Sequence, residues 1–586
     1  MPDTATEQEY DVVVVGSGAA GLSAALTAGA LGLRTLIVES SPKWGGTAGM
    51  SGGGLWSPAN PLMLEAGIDD SFDEAMTYLE HTIYEDSGPA SSTERRRAYL
   101  EAGPPMIKLF TDQGFRWEHK NRYPDYHTEL PGSTIGRVVQ AEAFNAKELG
   151  PWNATMRTLE ALPPIPIFVT DMRDLVIVGR TVRSLLTAGK VGARTAKALA
   201  SGKQLVTMGP ALVGRLMQII LRQGTPVWLN APLKEVIVDD GRVRGAVIDR
   251  NGREIRVRAR RGVVLAGGGF SRNAEFRRKH QSVGDEYSVA SPEDKGSALI
   301  AGIDAGAATA NMQNSWWCPT LTMPDGTRML CVWERSLPGS IIVDKTAQRF
   351  VNESASYVDV GRAMIEREET PGTSWLIFDQ RHRNHYLFAT APPRLTPRSW
   401  LNDDFLIKRK TLDELAAACK LNPADLRRTV HRFNRFAALG RDEDFGRGDT
   451  EYDNYYGDPR MKRNPNLAPI DQGPFYAVPV QPGDIGTMGG LLTDEHARVI
   501  DTGGQVIDGL YAAGNTTASV MGHRYPGPGS TIGPAMVFGY LASRHLAERT
   551  PEGTPEAIQA ADGAAHPKPA ETGVPGPKPA ASKGGR

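Results

Sequence analysis

The chain has 586 residues and a formal net charge of −1, with 66 basic and 67 acidic side chains. This length exceeds what one hydrophobic core supports, so it predicts two domains, and the balanced charge gives no reason to expect a nucleic acid as a partner. The three cysteines, Cys318, Cys331 and Cys419, have neither metal-site spacing nor a disulfide framework, so we expect a cytoplasmic protein without a metal.

The first predicted elements form a βαβ unit. The N-terminal residues are polar and acidic and lead directly into a strand, so we expect no signal peptide. No apolar stretch reaches the ~20 residues of a membrane-spanning helix. A β-branched run at Asp11–Val15 predicts a buried parallel strand, an alanine-rich helix follows, and a second strand covers Thr35–Val38.

The turn after the first strand predicts a dinucleotide site. Its glycines follow the G-x-G-x-x-G spacing and are Gly16, Gly18 and Gly21. Only glycine lets the backbone approach a pyrophosphate at the helix N-terminus. Glu39 ends the second strand, where an acid accepts hydrogen bonds from ribose hydroxyls and favours FAD or NAD over NADP. A structural βαβ unit without a ligand is the alternative.

Further glycine clusters favour FAD over NAD. "GGTAGMSGGG" at 45–54 follows the second strand, where the longer flavin nucleotide needs another close backbone approach. "GVVLAGGGF" at 262–270 and "GLYAAGN" at 509–515 also end predicted strands in glycine. Three separate strand ends of this kind indicate one shared ligand, whereas each alone is typical of an ordinary turn.

Residues 175–234 contain no acidic side chain. Leu, Val and Ala are interleaved there with basic residues, which are Arg180, Arg183, Lys190, Arg194, Lys197, Lys203, Arg215, Arg222 and Lys234. Two interpretations are open. One is a solvated helical hairpin inserted into the nucleotide-binding domain, and the other is a patch that binds a membrane surface peripherally.

Residues 311–480 interrupt the nucleotide-binding pattern and predict an inserted α+β substrate-binding domain. Thr411 and Asn422 are predicted helix caps, and Pro423 is suited to a first helical turn. The aromatic residues that either line an apolar pocket or pack in the core are Trp316, Trp317, Trp333 and Phe350.

The predicted fold class is α/β, a Rossmann-like domain formed by residues 1–310 and 481–549 with the substrate-binding domain inserted. Near the end of the second part, "RYPGPGSTIG" at 524–533 places a tyrosine on a turn built from proline and glycine. Past Arg549 the composition becomes rich in Pro, Ala, Gly and Lys, which predicts a disordered tail at 550–586.

These motifs together resemble the fumarate reductase/succinate dehydrogenase flavoprotein superfamily, and "SVMGHRYPGPGSTIGPAMVFGYLA" is similar to the 3-ketosteroid Δ1-dehydrogenases. The resemblance runs from about Tyr10 to Leu546. The FAD contacts expected from the motifs and the resemblance are Gly16, Ser17, Gly18, Ala19, Ala20, Gly21, Glu39, Ser40, Gly45, Gly46, Thr47, Ala48, Ser51, Gly52, Gly53, Val236, Ala266, Gly267, Gly268, Gly514, Asn515, Gly529, Thr531 and Ile532.

The resemblance also implies the catalytic residues. Tyr525 hydroxyl and Gly529 N–H would polarise the 3-keto group of a 3-keto-4-ene steroid as an oxyanion hole. Tyr357, in "RFVNESASYVDV", would take the C2 proton, while the C1 hydrogen leaves as hydride to flavin N5. Tyr126 would donate a hydrogen bond that favours the phenolate of Tyr357. Because His127 stands where a second tyrosine is usual, Tyr123 is the alternative to Tyr126.

Departures from the superfamily pattern narrow the expected substrate and cofactor linkage. Gly486 and Tyr525 stand where relatives carry the cations that bind a dicarboxylate, so a neutral ketone is expected. Gly46 replaces the histidine that tethers FAD in some relatives, which predicts non-covalent FAD. Gly527 replaces the serine of the Δ4-type enzymes and favours Δ1 chemistry. His523 is a weaker acid–base candidate than the phenols.

The resemblance therefore implies an FAD-dependent 3-oxosteroid 1-dehydrogenase of steroid degradation. The enzymatic alternative is a Δ4-type ketosteroid or other alicyclic ketone dehydrogenase, and the non-enzymatic one is a redox-inactive flavin- or steroid-binding protein. The chain has no haem or iron–sulfur motif. We therefore expect an external electron acceptor, for which a quinone is one candidate.

Overall fold

The structure, a computed structural model, describes residues 8–84, 87–119, 123–159, 165–367, 374–402 and 404–549. The tail predicted at 550–586 lies outside these ranges. The strands are β1 Gln8–Val15, β2 Thr35–Val38, β3 Gly54–Trp56, β4 Trp117–Glu118, β5 Val138–Ala141, β6 Phe144–Asn145, β7 Leu205–Val206, β8 Val227–Trp228, β9 Leu233–Asp239, β10 Arg242–Arg250, β11 Arg253–Leu265, β12 Thr309–Ala310, β13 Ser315–Thr322, β14 Arg328–Leu330, β15 Ser340–Val343, β16 Ser374–Asp379, β17 Ile407–Arg409, β18 Phe475–Thr487, β19 Gly490–Leu491, β20 Arg498–Ile500 and β21 Val506–Ala512.

The helices have equally defined bounds. They are α1 Ala19–Ala30, α2 Pro61–Glu65, α3 Phe72–Thr82, α4 Thr93–Asp112, α5 Val169–Leu175, α6 Val182–Ala200, α7 Met208–Arg222, α8 Ala274–His280, α9 Ser297–Asp304, α10 Trp333–Ser336, α11 Tyr357–Glu366, α12 Gln380–His385, α13 Leu412–Ala418, α14 Pro423–Leu439, α15 Glu451–Tyr455 and α16 Ile532–Glu548. Over the described part of the chain, no helix has the length and apolar character needed to cross a bilayer.

The predicted βαβ unit lies at the centre of the larger sheet. This eight-stranded sheet has the order β20-β21-β10-β11-β1-β2-β8, and β9 pairs with β10. β1 is parallel to both β2 and β11, with Val13 opposite Leu36 on one side and Val263 on the other. Buried parallel strands need apolar side chains on both faces, which explains the unbroken β-branched run of β1.

α16 closes the nucleotide-binding fold from the far end of the chain. Ser23 Oγ on α1 donates to the Met536 carbonyl oxygen (2.6 Å), and Ser543 Oγ donates to the Ala24 carbonyl oxygen (2.8 Å). The two helices approach closely because Gly539 has no side chain, and a Cβ there would contact the backbone of α1. The N-terminus of α16 is thereby held beside that of α1.

The second sheet belongs to the inserted part of the chain. Its six strands have the order β14-β13-β18-β16-β15, with β17 on β18, and all of these pairings are antiparallel. The fold is thus the predicted Rossmann-like α/β type with an α+β insertion. Its longest strand, β18, continues to Thr487, past the predicted boundary at residue 480.

The basic stretch 175–234 differs from the predicted inserted hairpin. Its helical character is as predicted in α6 and α7, but only α6 has large apolar side chains exposed to solvent. Most apolar side chains of α7, among them Leu212 and Leu216, are fully buried, and β8 pairs with β2 of the main sheet. Most of this stretch after α6 is therefore integral to the nucleotide-binding fold, because α7 carries an apolar face that must be covered.

Candidate active site

The N-terminus of α1 fits a pyrophosphate. The first residues of the helix are buried, and its N-cap residue, Gly18, provides no side-chain cap. A Cβ at Gly18 would meet no atom within 4 Å, whereas one at Gly21 would overlap the backbone of Gly16, whose φ is +104°. Amide N–H groups without partners at a helix N-terminus bind phosphate oxygens. The motif therefore combines a tight turn that requires glycine with an open approach for a ligand.

Glu39 is held beside this turn. Its Oε2 accepts hydrogen bonds from Ser17 N (3.0 Å) and Ser17 Oγ (2.6 Å), and Oε1 accepts one from Ser41 N (3.0 Å). Ser17 Oγ also accepts from Gly45 N (3.1 Å), which joins the first and second glycine clusters. The carboxylate is thus oriented at the strand end where the adenosine ribose of FAD is expected.

The remaining expected FAD contacts mostly converge on the same region. Gly46 packs against Gly18, Gly514 against Ala20, and Gly16 against Ala266, while the Gly268 carbonyl accepts from Thr516 Oγ1 (2.9 Å). Thr47 and Ala48 lie in a short 3₁₀ turn after Gly46, followed by Ser51, Gly52 and Gly53. Val236 lies on β9 and packs against the core of the main sheet. Thr531 and Ile532 begin α16, whose N-terminus also has no side-chain cap.

Three buried tyrosines from distant parts of the sequence meet at one point. The ring centroids of Tyr126 and Tyr357 are 5.7 Å apart, those of Tyr126 and Tyr525 are 5.6 Å apart, and those of Tyr357 and Tyr525 are 5.3 Å apart. Tyr126 lies in a loop before β5, Tyr357 begins α11, and Tyr525 lies in the turn before α16. Predicted catalytic side chains from both parts of the fold are therefore in contact.

Gly529 presents its backbone to the Tyr525 hydroxyl. Burial raises the pKa of Tyr525, and hydrogen bonds from Thr531, from Tyr357 and from the Gly529 N–H act in the opposite direction. Gly529 has φ +95°, and a Cβ there would overlap the backbone of Gly54. Only glycine fits this position, and it places an N–H donor and a phenol donor side by side. Two neighbouring donors of this kind are what an oxyanion hole requires.

Tyr357 is protonated at neutral pH in this environment. Burial is the main reason that its pKa lies well above the ordinary value, and neighbouring Tyr525 raises it further. A hydrogen bond from Tyr126 lowers the pKa, in the direction expected from the sequence. The structure therefore adds a desolvation effect that the sequence argument did not include.

Several aromatic residues around this cluster were not identified from the sequence. The Tyr452 ring lies 4.3 Å from Tyr126 between centroids, and Tyr78 Oη donates to the Pro526 carbonyl oxygen (2.6 Å). Tyr123, the alternative to Tyr126, stacks on Tyr455 at 4.0 Å. The tyrosine-rich segment "EYDNYY" at 451–456 supplies Tyr452 and Tyr455, whereas Tyr78 stands in no comparable segment.

The predicted pocket-lining aromatics separate into different environments. Trp316 meets Tyr525 edge to face at 5.2 Å, whereas Trp317, its neighbour on β13, lies under the Arg277 guanidinium. Trp333 packs against the same cluster as the tyrosines, and Phe350 packs in the core of the six-stranded sheet. Trp316 is therefore the member of this set placed directly beside a predicted catalytic residue.

His523 and Gly486 were also singled out in the sequence, and both have close neighbours in the structure. Asn314 Nδ2 lies 2.7 Å from His523 Nδ1, so this histidine is engaged by the inserted part of the chain. A Cβ at Gly486 would overlap the amide of Asn515. A side chain at position 486 would therefore require Asn515 to move and would strain the backbone, whose φ is +150°.

The chain is similar to several known dehydrogenases. The FAD binding domain family matches residues 11–532. The 3-oxosteroid 1-dehydrogenase of Mycobacterium tuberculosis is 43% identical over 569 residues, covering 93% of this chain and 99% of the relative. The 4-oxocyclohex-2-ene-1-carboxylate 5-dehydrogenase of Sinomonas cyclohexanicum is 36% identical over 563 residues, covering 92% and 93%. The crystal structure of 3-ketosteroid Δ1-dehydrogenase from Sterolibacterium denitrificans in complex with 1,4-androstadiene-3,17-dione superposes with a TM-score of 0.87 at 37% identity, covering 92% and 99%.

Proposed function

Because the chain belongs to the FAD-dependent family of 3-oxosteroid 1-dehydrogenases, we propose that it introduces a C1–C2 double bond into 3-keto-4-ene steroids. The observation that carries this proposal is the meeting of Tyr126, Tyr357 and Tyr525 within 5.3–5.7 Å, with the Gly529 N–H beside the Tyr525 hydroxyl. These groups supply the donors and the base that such a reaction requires.

Each residue has a distinct role in the proposal. Tyr525 and Gly529 donate hydrogen bonds to the 3-keto oxygen as negative charge develops on it, and Tyr357 takes the proton from C2. Tyr126 donates to Tyr357 and stabilises its phenolate. FAD, when bound along the glycine turns and the α1 N-terminus, supplies the acceptor for the hydrogen that leaves C1.

An anaerobic titration tests this function. Androst-4-ene-3,17-dione is expected to bleach the flavin absorbance, and mass spectrometry should show a product lighter by two hydrogens with a 1,4-diene spectrum. A product unsaturated elsewhere would support the Δ4-type alternative. Binding without bleaching would support the redox-inactive alternative.

The alicyclic keto acid dehydrogenases are the second candidate because one is 36% identical to this chain. A carboxylate substrate needs a cation near the ketone site, and Arg524 is adjacent to Tyr525. Arg524 instead lies 3.5 Å from Asp359 and over the Tyr84 ring, so its charge is already balanced. We therefore expect 4-oxocyclohex-2-ene-1-carboxylate to be a much poorer substrate than the steroid.

Acid or heat treatment is expected to release the bound FAD from the protein in intact form. Gly46 has φ +52° and packs against Gly18, so the position that carries a tethering histidine in some relatives has none here. After precipitation, the yellow colour should be measured in the supernatant and compared with the total flavin. Colour that remains with the washed polypeptide would contradict non-covalent binding.

We also propose an external electron acceptor, with a quinone as the candidate, and peripheral contact of α6 with an anionic lipid surface. The exposed fractions of its large apolar side chains are 75% for Val182, 57% for Leu185, 61% for Leu186 and 74% for Leu199. Lys190 and Lys197 are exposed on the same helix. An amphipathic helix that combines apolar and basic side chains in this way suits the interface of an anionic bilayer.

Replacing Leu185 and Leu186 by Ser is expected to lower binding to phosphatidylglycerol-containing vesicles by tenfold or more, since burial of each side chain contributes roughly 1.5–3 kcal/mol. Charge reversal of Lys190 and Lys197 should weaken binding further, because each basic residue contributes about 1 kcal/mol. Cosedimentation measures both effects. Leu439→Ser, at a 61% exposed position on α14, is the matched control. Equal sedimentation of all variants would contradict membrane contact and indicate that α6 is a solvated helix.

A further inference from the structure

Charged residues adjoin each of the three tyrosines. His127 follows Tyr126, Asp359 lies two residues after Tyr357, and Arg524 precedes Tyr525. His127 Nε2 is 3.7 Å from Asp359 Oδ2, and Arg524 NH1 is 3.5 Å from Asp359 Oδ1. We name these three residues the charged clamp. It links the same three segments that the tyrosines link.

Two of these segments are also joined through the main chain. Tyr126 N donates to the Pro526 carbonyl oxygen (2.8 Å). Tyr78 Oη donates to the same carbonyl (2.6 Å) and accepts a hydrogen bond from His127 N (3.2 Å). The loop that carries Tyr126 is therefore fixed to the turn that carries Tyr525.

The third segment comes from the inserted part of the chain. Tyr357 begins α11, which packs on the six-stranded sheet through Val360 and Met364. Its links to Tyr126 and Tyr525 run through ring contacts and through Asp359. The charged clamp thus lies at the junction where the expected base meets its expected hydrogen-bond donor.

The surroundings of His127 favour its cationic form. Burial alone would lower the pKa of His127, but its contact with Glu129 and the charge of Asp359 outweigh that effect and raise the pKa. Arg524 acts in the opposite direction. The titratable and charged groups around the clamp are Glu129 from the same loop, Tyr78 and Tyr84 from α3 and the residues after it, Asp359 and Arg362 from α11, and His523 and Arg524 from the turn before α16.

We propose that His127, Asp359 and Arg524 are positioning residues that hold α11 against the Tyr126 loop, with His127 as the cation that joins Asp359 and Glu129. This inference rests on the roles proposed above for the three tyrosines. In this arrangement the clamp keeps the Tyr126 hydroxyl directed at Tyr357. None of its members touches the substrate in this proposal.

The proposal predicts a defined pH dependence. Because the folded state raises the pKa of His127, the clamp is complete below the ordinary histidine pKa and is lost as pH rises through the raised value. The phenolate of Tyr357 increases over the same rise in pH. Turnover of the wild type should therefore level off or fall at alkaline pH. The phenolate population of Tyr357 rises there, but the clamp that positions Tyr126 against Tyr357 is lost.

Histidine ring NMR tests the clamp without any turnover. The holoenzyme labelled with ¹³C-histidine is titrated, and the His127 signal is assigned by its absence in His127→Gln. Asp359→Asn keeps the side-chain shape and is expected to lower the His127 midpoint. His496, which is exposed and lies 3.5 Å from Glu495, is the internal control and should be unchanged. An unchanged His127 midpoint in Asp359→Asn would overturn the proposal.

Kinetics provide the second arm. Asp359→Asn should lower kcat by about tenfold at pH values where His127 is charged, as expected for residues coupled in one network. This loss should shrink above the His127 titration, and flavin content should equal that of the wild type. An equal loss at every pH would assign Asp359 a merely structural role. Absence of steroid turnover in the wild type would refute the proposed function. The NMR titration would still show whether His127 and Asp359 interact as proposed.

Discussion

Tyr525→Phe is expected to lower steroid turnover by about 10²–10³-fold while the flavin remains bound. The Tyr525 side chain is fully packed, and its hydroxyl lies beside the Gly529 N–H and 3.5 Å from Thr531 Oγ1. Removing one of two preorganised donors leaves the developing charge on the 3-keto oxygen with a single hydrogen bond. Steady-state turnover with a dye acceptor measures the effect, and the ratio of flavin to protein absorbance measures cofactor binding.

Tyr476→Phe is the matched control for loss of a largely buried phenol hydroxyl. Tyr476 donates to Gln380 Oε1 (2.6 Å) within the six-stranded sheet, away from the tyrosine cluster. Tyr476→Phe is expected to lower the free energy of unfolding by about 0.5–1.5 kcal/mol. Its turnover should change little. Near-normal turnover of Tyr525→Phe would remove this hydroxyl from the mechanism. A parallel loss in both variants would indicate a general packing defect.

The local features of the fold follow from the sequence because their causes are local. The glycine turn after β1 needs a positive φ and a close backbone approach, and both requirements are visible in the spacing of Gly16 and Gly21. The caps of α13 and α14 are also as predicted. Thr411 accepts from Glu414 N, and Asn422 accepts from the first turn of α14, with Pro423 at its start.

The surroundings of the tyrosines could not be predicted in this way. Tyr78 and Tyr452 reach the site from α3 and α15, and nothing in their local sequence sets that approach. The same holds for α7, whose basic residues suggested a solvated helix. Its burial depends on α1 and on the residues near Phe144, which are distant in sequence. Charge along one segment does not determine what another segment covers.

The pKa of Tyr357 shows the same limit. The sequence argument includes Tyr126 as a hydrogen-bond donor, and this contribution has the expected sign. The larger contribution is burial, which depends on the closure of the inserted part over the nucleotide-binding fold and raises the pKa. The phenolate of Tyr357 is therefore the minor form at neutral pH, and its population increases with pH.

Tyr357→Phe is expected to abolish exchange at C2 and to lower turnover by roughly 10²–10⁴-fold. Of the three phenols, Tyr357 is the one proposed to take the C2 proton, because the proposal assigns Tyr525, with Gly529, to the 3-keto oxygen. In D₂O the wild type should incorporate deuterium at C2 of the steroid, detected by mass spectrometry of recovered substrate. Tyr357→Phe should return the steroid without label, with its flavin content unchanged.

Tyr126→Phe separates a base from the residue that tunes it. It leaves the Tyr357 hydroxyl in place but removes the hydrogen bond that lowers the pKa of Tyr357, so that pKa should rise further. The phenolate then forms only at higher pH, and both C2 exchange and turnover should be reduced at neutral pH and recover partly as pH increases. Tyr357→Phe should show no such recovery at any pH. Label uptake by Tyr357→Phe would assign the proton transfer to another group. Loss in Tyr126→Phe that is independent of pH would assign Tyr126 a packing role against Tyr452 and Tyr525.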